Sequence, residues 1–258
     1  MKMPLISIIT PSYNQGKFIR ATIDSVLSQG YPNLEYFVID GGSTDDTLAI
    51  LKSYGKQIHW VSEGDRGQTH AINKGLNMAS GELLAYLNSD DVYYPGALKQ
   101  VGEYYQKTKA DWITGDCIVI DEAGVPTRFG WLIRAYKRLL LKLYSRTTLK
   151  IVDNMIPQPS TFWSRRAYLT IGEFRENYHY VMDYDYWLRL SDKFRPHDLG
   201  FVLAGFRAQP NSKSETSRDL LMAEGDLALK NNGANSLHLA LHRFHSSIVR
   251  FIYNLLKN

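Results

Sequence analysis

The sequence predicts an α/β fold in which a mostly parallel sheet is flanked by helices. Three observations lead there. The runs Leu5–Ile9, Tyr36–Ile39 and Leu83–Leu87 are nearly continuous in apolar residues, as strands buried on both faces are. Between them, apolar residues recur at three- and four-residue intervals, the period of helices that cover such a sheet. The composition of the 258 residues, 44% hydrophobic and 22% charged, is that of an ordinary globular chain and supplies enough core for one large domain.

Taken in order, Leu5–Ile9 is the first strand, and Phe18, Ile19, Thr22, Ile23, Val26 and Leu27 mark the first helix. Tyr36–Ile39 is the second strand. It runs into Gly41-Gly42-Ser43-Thr44, read as a turn ending in a helix N-cap, before Thr47, Leu48, Ile50, Leu51 and Tyr54. His59–Val61 is a short strand and Gly67–Ala79 a helix. Leu83–Leu87 follows, and Pro95 is expected in the first turn of the helix carrying Leu98 and Val101. The second half is less regular. Asp111–Ile120 is extended, Tyr184–Phe194 helical, Phe201–Phe206 a late strand and Ser236–Leu256 a terminal amphipathic helix. This divides the chain into one domain over 1–225, with a regular half (1–115) and a less regular half (116–225), and a helical extension over 226–258.

Cys117 is the only cysteine, which excludes an internal disulfide framework and a Cys-rich zinc site. The N-terminus lacks the pattern of a secretory signal and no apolar run is long enough to span a bilayer, so a cytoplasmic location is expected. The net charge of +4 hides an asymmetry. Residues 123–152 and 227–258 together hold eleven Lys or Arg and no acid; the remainder has 19 basic residues against 26 acidic ones, a body of net charge −7. That distribution does not suit a nucleic-acid binder.

Ligands of parallel sheets bind outside the carboxyl ends of the strands, so the polar clusters there are the candidates. They are Thr10-Pro11-Ser12-Tyr13-Asn14, Asp40-Gly41-Gly42-Ser43 and Asn88-Ser89-Asp90-Asp91. A carboxylate at a strand end can accept from a base N–H or a ribose hydroxyl, and Tyr13 can stack on a base. The glycine pair lacks the spacing of a dinucleotide loop and also suits a plain capping turn. Asp90 and Asp91 repel each other unless a cation or hydrogen-bond donors compensate, and oxygen ligands of this kind favour Mg²⁺ or Mn²⁺. Farther on, Asp183 and Asp185 punctuate an aromatic run. At i,i+2 they cannot share a helical face: if one enters a cleft, the other caps or pairs, with Arg189 within reach.

Together these segments resemble family 2 glycosyltransferases. The resemblance is carried, in order, by Pro-Ser-Tyr-Asn (11–14), Ile-Asp-Gly-Gly-Ser-Thr-Asp (39–45), Glu-Gly-Asp-Arg-Gly (63–67), Ala-Ile-Asn-Lys-Gly (71–75), Gly-Glu (81–82), Leu-Asn-Ser-Asp-Asp (87–91), Gln-Pro-Ser-Thr-Phe (158–162) and Met-Asp-Tyr-Asp-Tyr-Trp-Leu-Arg-Leu (182–190). It implies a GT-A, Rossmann-like fold and an inverting, metal-dependent enzyme of polysaccharide biosynthesis, using a nucleotide-diphospho-sugar with UDP expected. Thr10, Pro11, Tyr13 and Asp40 would line the base pocket. Asp65, Asn73 and Lys74 would close over the nucleoside and diphosphate, and Asn88 and Asp90 would hold the ribose or sugar side. Asp91 would ligate Mn²⁺ or Mg²⁺, and Asp183 would be the catalytic base. Gln158 and Asp185 would shape the acceptor side, for a glycan or lipid-linked acceptor.

The chain departs from the family in two places. Met182 stands where many members have Glu, and Gln209 where many have a metal-reaching His; a glutamine carbonyl is the poorer ligand. Arg207 and Ser212 remain to meet phosphate. These departures leave a second class, a non-catalytic sugar-nucleotide or glycan-binding homologue. A nucleotidyltransferase is more distant, since only Lys17 and Arg20 offer cations near the N-terminus.

The basic stretches 128–146 and 236–257 read as amphipathic helices, suited to an anionic membrane surface or to a contact between two copies of the chain. On the first reading Arg134, Lys137, Arg138 and Lys142 face the lipid. His238, His242 and His245 share one face of the terminal helix without an accompanying acid, which argues for an interfacial or solvated face rather than a metal site.

Overall fold

The computed structural model describes residues 2–152, 155–209 and 218–257. Eight strands form one mixed sheet: β1 (Ile6–Ser12), β2 (Leu34–Asp40), β3 (His59–Ser62), β4 (Leu83–Tyr86), β5 (Val92–Tyr93), β6 (Trp112–Ile120), β7 (Thr161–Ser164) and β8 (His197–Arg207). Their order is β3-β2-β1-β4-β7-β6-β8-β5. The first four pair in parallel, as do β6 and β8, whereas β7 is antiparallel to both neighbours and β5 is antiparallel to β8.

Alternation along the parallel strands sends side chains into two cores. Ile9, Phe37, Ile39, Leu84 and Tyr86 belong to one. Ile6, Ile8, Tyr36, Val38, Leu83, Ala85 and Leu87 belong to the other. Because both faces are covered, these strands read as unbroken apolar runs. The first core continues into a cluster of stacked and edge-on aromatics built on Trp112, Trp163, Phe174, Tyr186 and Trp187.

The helices are α1 (Ile19–Leu27), α2 (Thr47–Ser53), α3 (Gln68–Met78), α4 (Ala97–Thr108), α5 (Gly130–Lys142), α6 (Arg146–Ile151), α7 (Arg165–Ile171), α8 (Met182–Leu190), α9 (Arg218–Asn231) and α10 (Ser236–Lys257). Residues 115/116 and 225/226, where the sequence divides the chain, fall inside β6 and α9. Three local expectations are corrected. β1 runs on through Thr10, Pro11 and Ser12, which pair in register with Val38, Ile39 and Asp40. Thr44 does not cap α2; the helix starts behind Asp46, and the Asp45 side chain holds the Thr47 N–H. Pro95 precedes α4, whose N-cap is Gly96 with φ of 81°.

The strand order places β1 between β2 and β4, so the chain leaves β1 in one direction and returns on its other side. A crevice opens at such a reversal beyond the carboxyl ends of the strands.

Candidate active site

A cleft of about 480 Å³ lies at that crevice. β1 contributes Pro11 and Ser12 to its wall, with Tyr13 just beyond the strand; the segment after β4 contributes Asn88, Ser89 and Asp90. Asp65, Gln158, Asp183, Arg207 and Gln209 complete the group of expected residues that line it. Residues more than a hundred positions apart thus meet because β8 and α8 are brought to the same end of the sheet.

The β1–α1 loop is held open by the β2–α2 loop. Asn14, with φ of 51°, presents its backbone N–H to Ser43 Oγ and accepts from Thr44 N–H, and Gly16 N–H donates to Asp45 Oδ2. The tie leaves Tyr13 60% exposed at the cleft, a ring available for stacking.

Asp90 and Asp91 part company at the end of β4. Asp90 reaches the cleft and accepts from the Gln209 side-chain amide, while Asp91 is fully buried beneath it and accepts from Arg207 N–H at 2.9 Å. Burial pushes both carboxyl groups above the ordinary range, and the charge of Asp90 pushes Asp91 further. Asp183, in the first turn of α8, lines the same cleft. Tyr86 lines the cleft as well, and its phenol is raised first by burial and then by the charges of Asp183 and Asp91.

Several expected residues are placed elsewhere. Thr10 is buried, with its hydroxyl 3.1 Å from that of Tyr36. Asp40 is buried too, and its carboxylate is occupied by Gly42 N–H, Ser43 N–H and the hydroxyls of Ser43 and Ser62. It organises the turn rather than offering free acceptors to a base. Lys74 pairs with Glu63 instead of reaching over the cleft. Asn73 bonds the backbone of Phe174. Arg207 spends its guanidinium on the carbonyls of Asp90, Asp121 and Glu122, so it clamps the loops around the acids rather than aiming at phosphate. Asp185 is corrected as an acceptor contact: it is fully buried and bonded to Arg175, Arg189 and Asn232. Gln158 lines the cleft while its amide donates to Tyr86 O, and Ser212 lies outside the described residues.

The sequence reading missed Gln68, Lys137, His179 and Tyr180, which also line the cleft. Gln68 donates to Asn88 at 2.7 Å. Lys137 was expected to face outward; instead α5 turns Ile133 and Lys137 toward the cleft and Arg134 and Arg138 toward the buried Asp116. Of the histidines of α10, His242 turns inward and stacks on Tyr184, His245 stacks on the exposed Tyr136, and His238 bonds Asn235. Among the described residues no three His, Cys, Asp or Glu side chains gather in a metal-holding group.

Residues 7–170 match the sequence model of Glycosyl transferase family 2. The chain belongs to this family. An uncharacterised glycosyltransferase of Rickettsia felis is 31% identical over 191 residues, which are 72% of this chain and 31% of the relative. Chondroitin synthase of Escherichia coli is 28% identical over 194 residues, 74% of this chain and 27% of the synthase. The chain therefore spans about a third of the length of these curated relatives. Among solved structures, S. aureus TarS 1–349 in complex with UDP-GlcNAc superposes with a TM-score of 0.67 at 19% identity, covering 93% of this chain and 71% of that one. The mannosyltransferase PcManGT of Pyrobaculum calidifontis, in complex with GDP-Man and Mn²⁺, gives 0.62 at 16% identity, covering 96% and 81%. The α/β architecture is thus the GT-A type that the motifs imply.

Proposed function

We propose that the chain is an inverting glycosyltransferase. It moves a hexosyl or N-acetylhexosaminyl group from a nucleotide-diphospho-sugar, with UDP as the nucleotide, to a hydroxyl of a glycan or lipid-linked acceptor in polysaccharide assembly. The observation that carries this reading is the opening of Asp183 and Asp90 into one cleft that Tyr13 and Tyr86 also line. The complex of TarS with UDP-GlcNAc and the relation to a polysaccharide synthase support the donor and product classes.

In a single displacement the acceptor oxygen attacks the anomeric carbon from the face opposite the diphosphate. The new C–O bond forms as the bond to the diphosphate oxygen breaks on the opposite face, which inverts the configuration, and Asp183 takes the hydroxyl proton. The first turn of α8 suits this role, because the helix N-terminus favours a carboxylate there. Pro11 and Tyr13 would bound the base, and Asp65 and Asn88 the nucleoside and sugar.

The residues fit a divalent cation. Asp90 at the cleft and the buried Asp91 are hard oxygen donors, and burial raises the pKa of both, that of Asp91 further through the charge of Asp90. Mg²⁺ or Mn²⁺ would be held by Asp91 and Asp90, with Gln209 beside them, and when bound would stabilise negative charge on the departing diphosphate.

The test is turnover of UDP-sugars by purified protein with Mn²⁺ and an acceptor pool. Asp183→Asn is expected to lower kcat by about 10²–10⁴-fold with donor affinity retained. Normal transfer by that variant would remove Asp183 as the base. Donor binding without any turnover by the unsubstituted protein would favour a non-catalytic sugar-nucleotide-binding homologue.

A further inference from the structure

His179 and Tyr180 line the cleft together with Asp183. They occupy a span without regular structure between two fixed points. On one side Tyr178 is fully buried; its carbonyl accepts from Thr69 Oγ1 at 3.1 Å, and its hydroxyl accepts from Asn231 Nδ2 at 2.8 Å. On the other side Val181 is the buried N-cap of α8, whose Tyr184, Tyr186 and Trp187 are anchored in the aromatic core. The peptide N–H groups of both intervening residues converge on one carboxylate. Glu224 Oε2 accepts from His179 at 3.0 Å and from Tyr180 at 2.8 Å, and Oε1 accepts from His179 at 3.0 Å. Glu224 stands on α9 one turn after Leu221, which lines the cleft itself.

Two consecutive N–H groups on one carboxylate fix the orientation of both peptide planes, and with it the direction in which the two side chains leave the backbone. The bonds to His179 are exposed and the bond to Tyr180 is partly buried, so water can replace them. What Glu224 supplies is therefore placement more than stability. The match to the family model ends at residue 170, before this arrangement begins. The residues expected around the donor, Tyr13, Asp65, Asn88 and Asp90, come from the first half of the chain, whereas His179 and Tyr180 belong to the segment that delivers Asp183. We infer that Glu224 is a positioning residue for the acceptor side of the cleft. It holds the rings of His179 and Tyr180, beside Met182 and Leu221, as a wall for an acceptor sugar ring. The acceptor role rests on the function proposed above; the placement of the two residues by Glu224 does not.

Transfer from UDP-GlcNAc to a mixed oligosaccharide pool of varied concentration, run on the full chain with Mn²⁺, tests the role. Glu224→Ala is expected to raise the half-maximal acceptor concentration roughly tenfold, with kcat reduced less than about threefold and UDP affinity by calorimetry retained. Glu224→Gln keeps one oxygen for the two N–H groups; it should give a smaller rise of the same kind, and it serves alone if the alanine variant does not fold. Replacing His179 and Tyr180 together by alanine should raise the same concentration, and adding Glu224→Ala to that pair should change little more, because Glu224 acts through them. Amide exchange at 179 and 180, followed by NMR without any ligand, should speed up roughly tenfold in Glu224→Ala. Unchanged exchange would overturn the placement. An unchanged acceptor concentration, or a loss of UDP affinity in step with it, would overturn the acceptor wall. No transfer by the unsubstituted protein would count against the proposed function, and the exchange measurement would still decide the placement.

Discussion

Asp183 and Asp185 stand two positions apart on α8, about 200° around the helix axis. One carboxylate therefore enters the cleft and the other enters the interior, where Arg175 at 3.0 Å, Arg189 at 2.9 Å and Asn232 at 3.0 Å hold it. Asp185→Ala strands the largely buried Arg189 without its partner, and should cost about 3 kcal/mol in chemical unfolding while leaving donor affinity unchanged in the folded fraction. The two substitutions at 183 and 185 are thus expected to separate catalysis from stability. Gly41 shows a tighter constraint. A Cβ there would come within 2.6 Å of Asp65 Oδ2, and Asp65 is also fixed through Gly67 N–H. Gly41→Ala should push Asp65 out of place and weaken nucleotide-sugar binding several-fold by calorimetry, with little change in melting temperature. Unaltered affinity would show that Asp65 is not a donor contact.

At the level of elements, the antiparallel strand β7 joins the two parts of the sheet, and Asp111 ties it down. Its carboxylate accepts from the buried Ser164 hydroxyl and from Arg166 at the start of α7. Burial alone raises this carboxyl, but the hydrogen bonds from Arg166 and Ser164 outweigh it and hold the group below its ordinary value. A folded-state pKa lower than the unfolded one contributes stability that is complete above the unfolded pKa and is lost as pH falls through the folded value. Asp111→Asn should therefore lower the melting temperature by a few degrees at pH 7, and the deficit should close as the pH falls below the ordinary carboxylate range. A deficit independent of pH would mean that the loop geometry, not the charge, is what matters. The same scale explains why the basic pattern of α5 misled: helical spacing groups Arg134 and Arg138 on one face, but the buried Asp116 on β6 draws that face inward.

For the whole molecule, the cleft exists only because β1, β4, β8 and α8 converge, so a ligand filling it stabilises the entire assembly. A UDP-sugar with Mn²⁺ at about 100 times its dissociation constant should add about 2.7 kcal/mol and raise the melting temperature by roughly 5–10 °C. The shift should shrink sharply in Asp91→Ala, and absence of a shift with every nucleotide-sugar would remove the donor assignment. Much of this molecule is legible in the chain itself. Continuous apolar runs and period-3.6 hydrophobicity are local properties, so the main strands, most helices and the α/β class follow from them; strand ends bring Tyr13 and Asp90 together, and the family motif adds Asp183. Contacts across long separations are not local. Only the tertiary structure decides that Asp40 and Arg207 spend their polar atoms on the backbone and hydroxyls of the loops, that Lys74 pairs with Glu63, and that Lys137 lines the cleft. Nor can periodicity say which way a face turns: it assigns Phe244 and His242 of α10 to different faces, and the inward packing of His242 against Tyr184 is what leaves Phe244 outside.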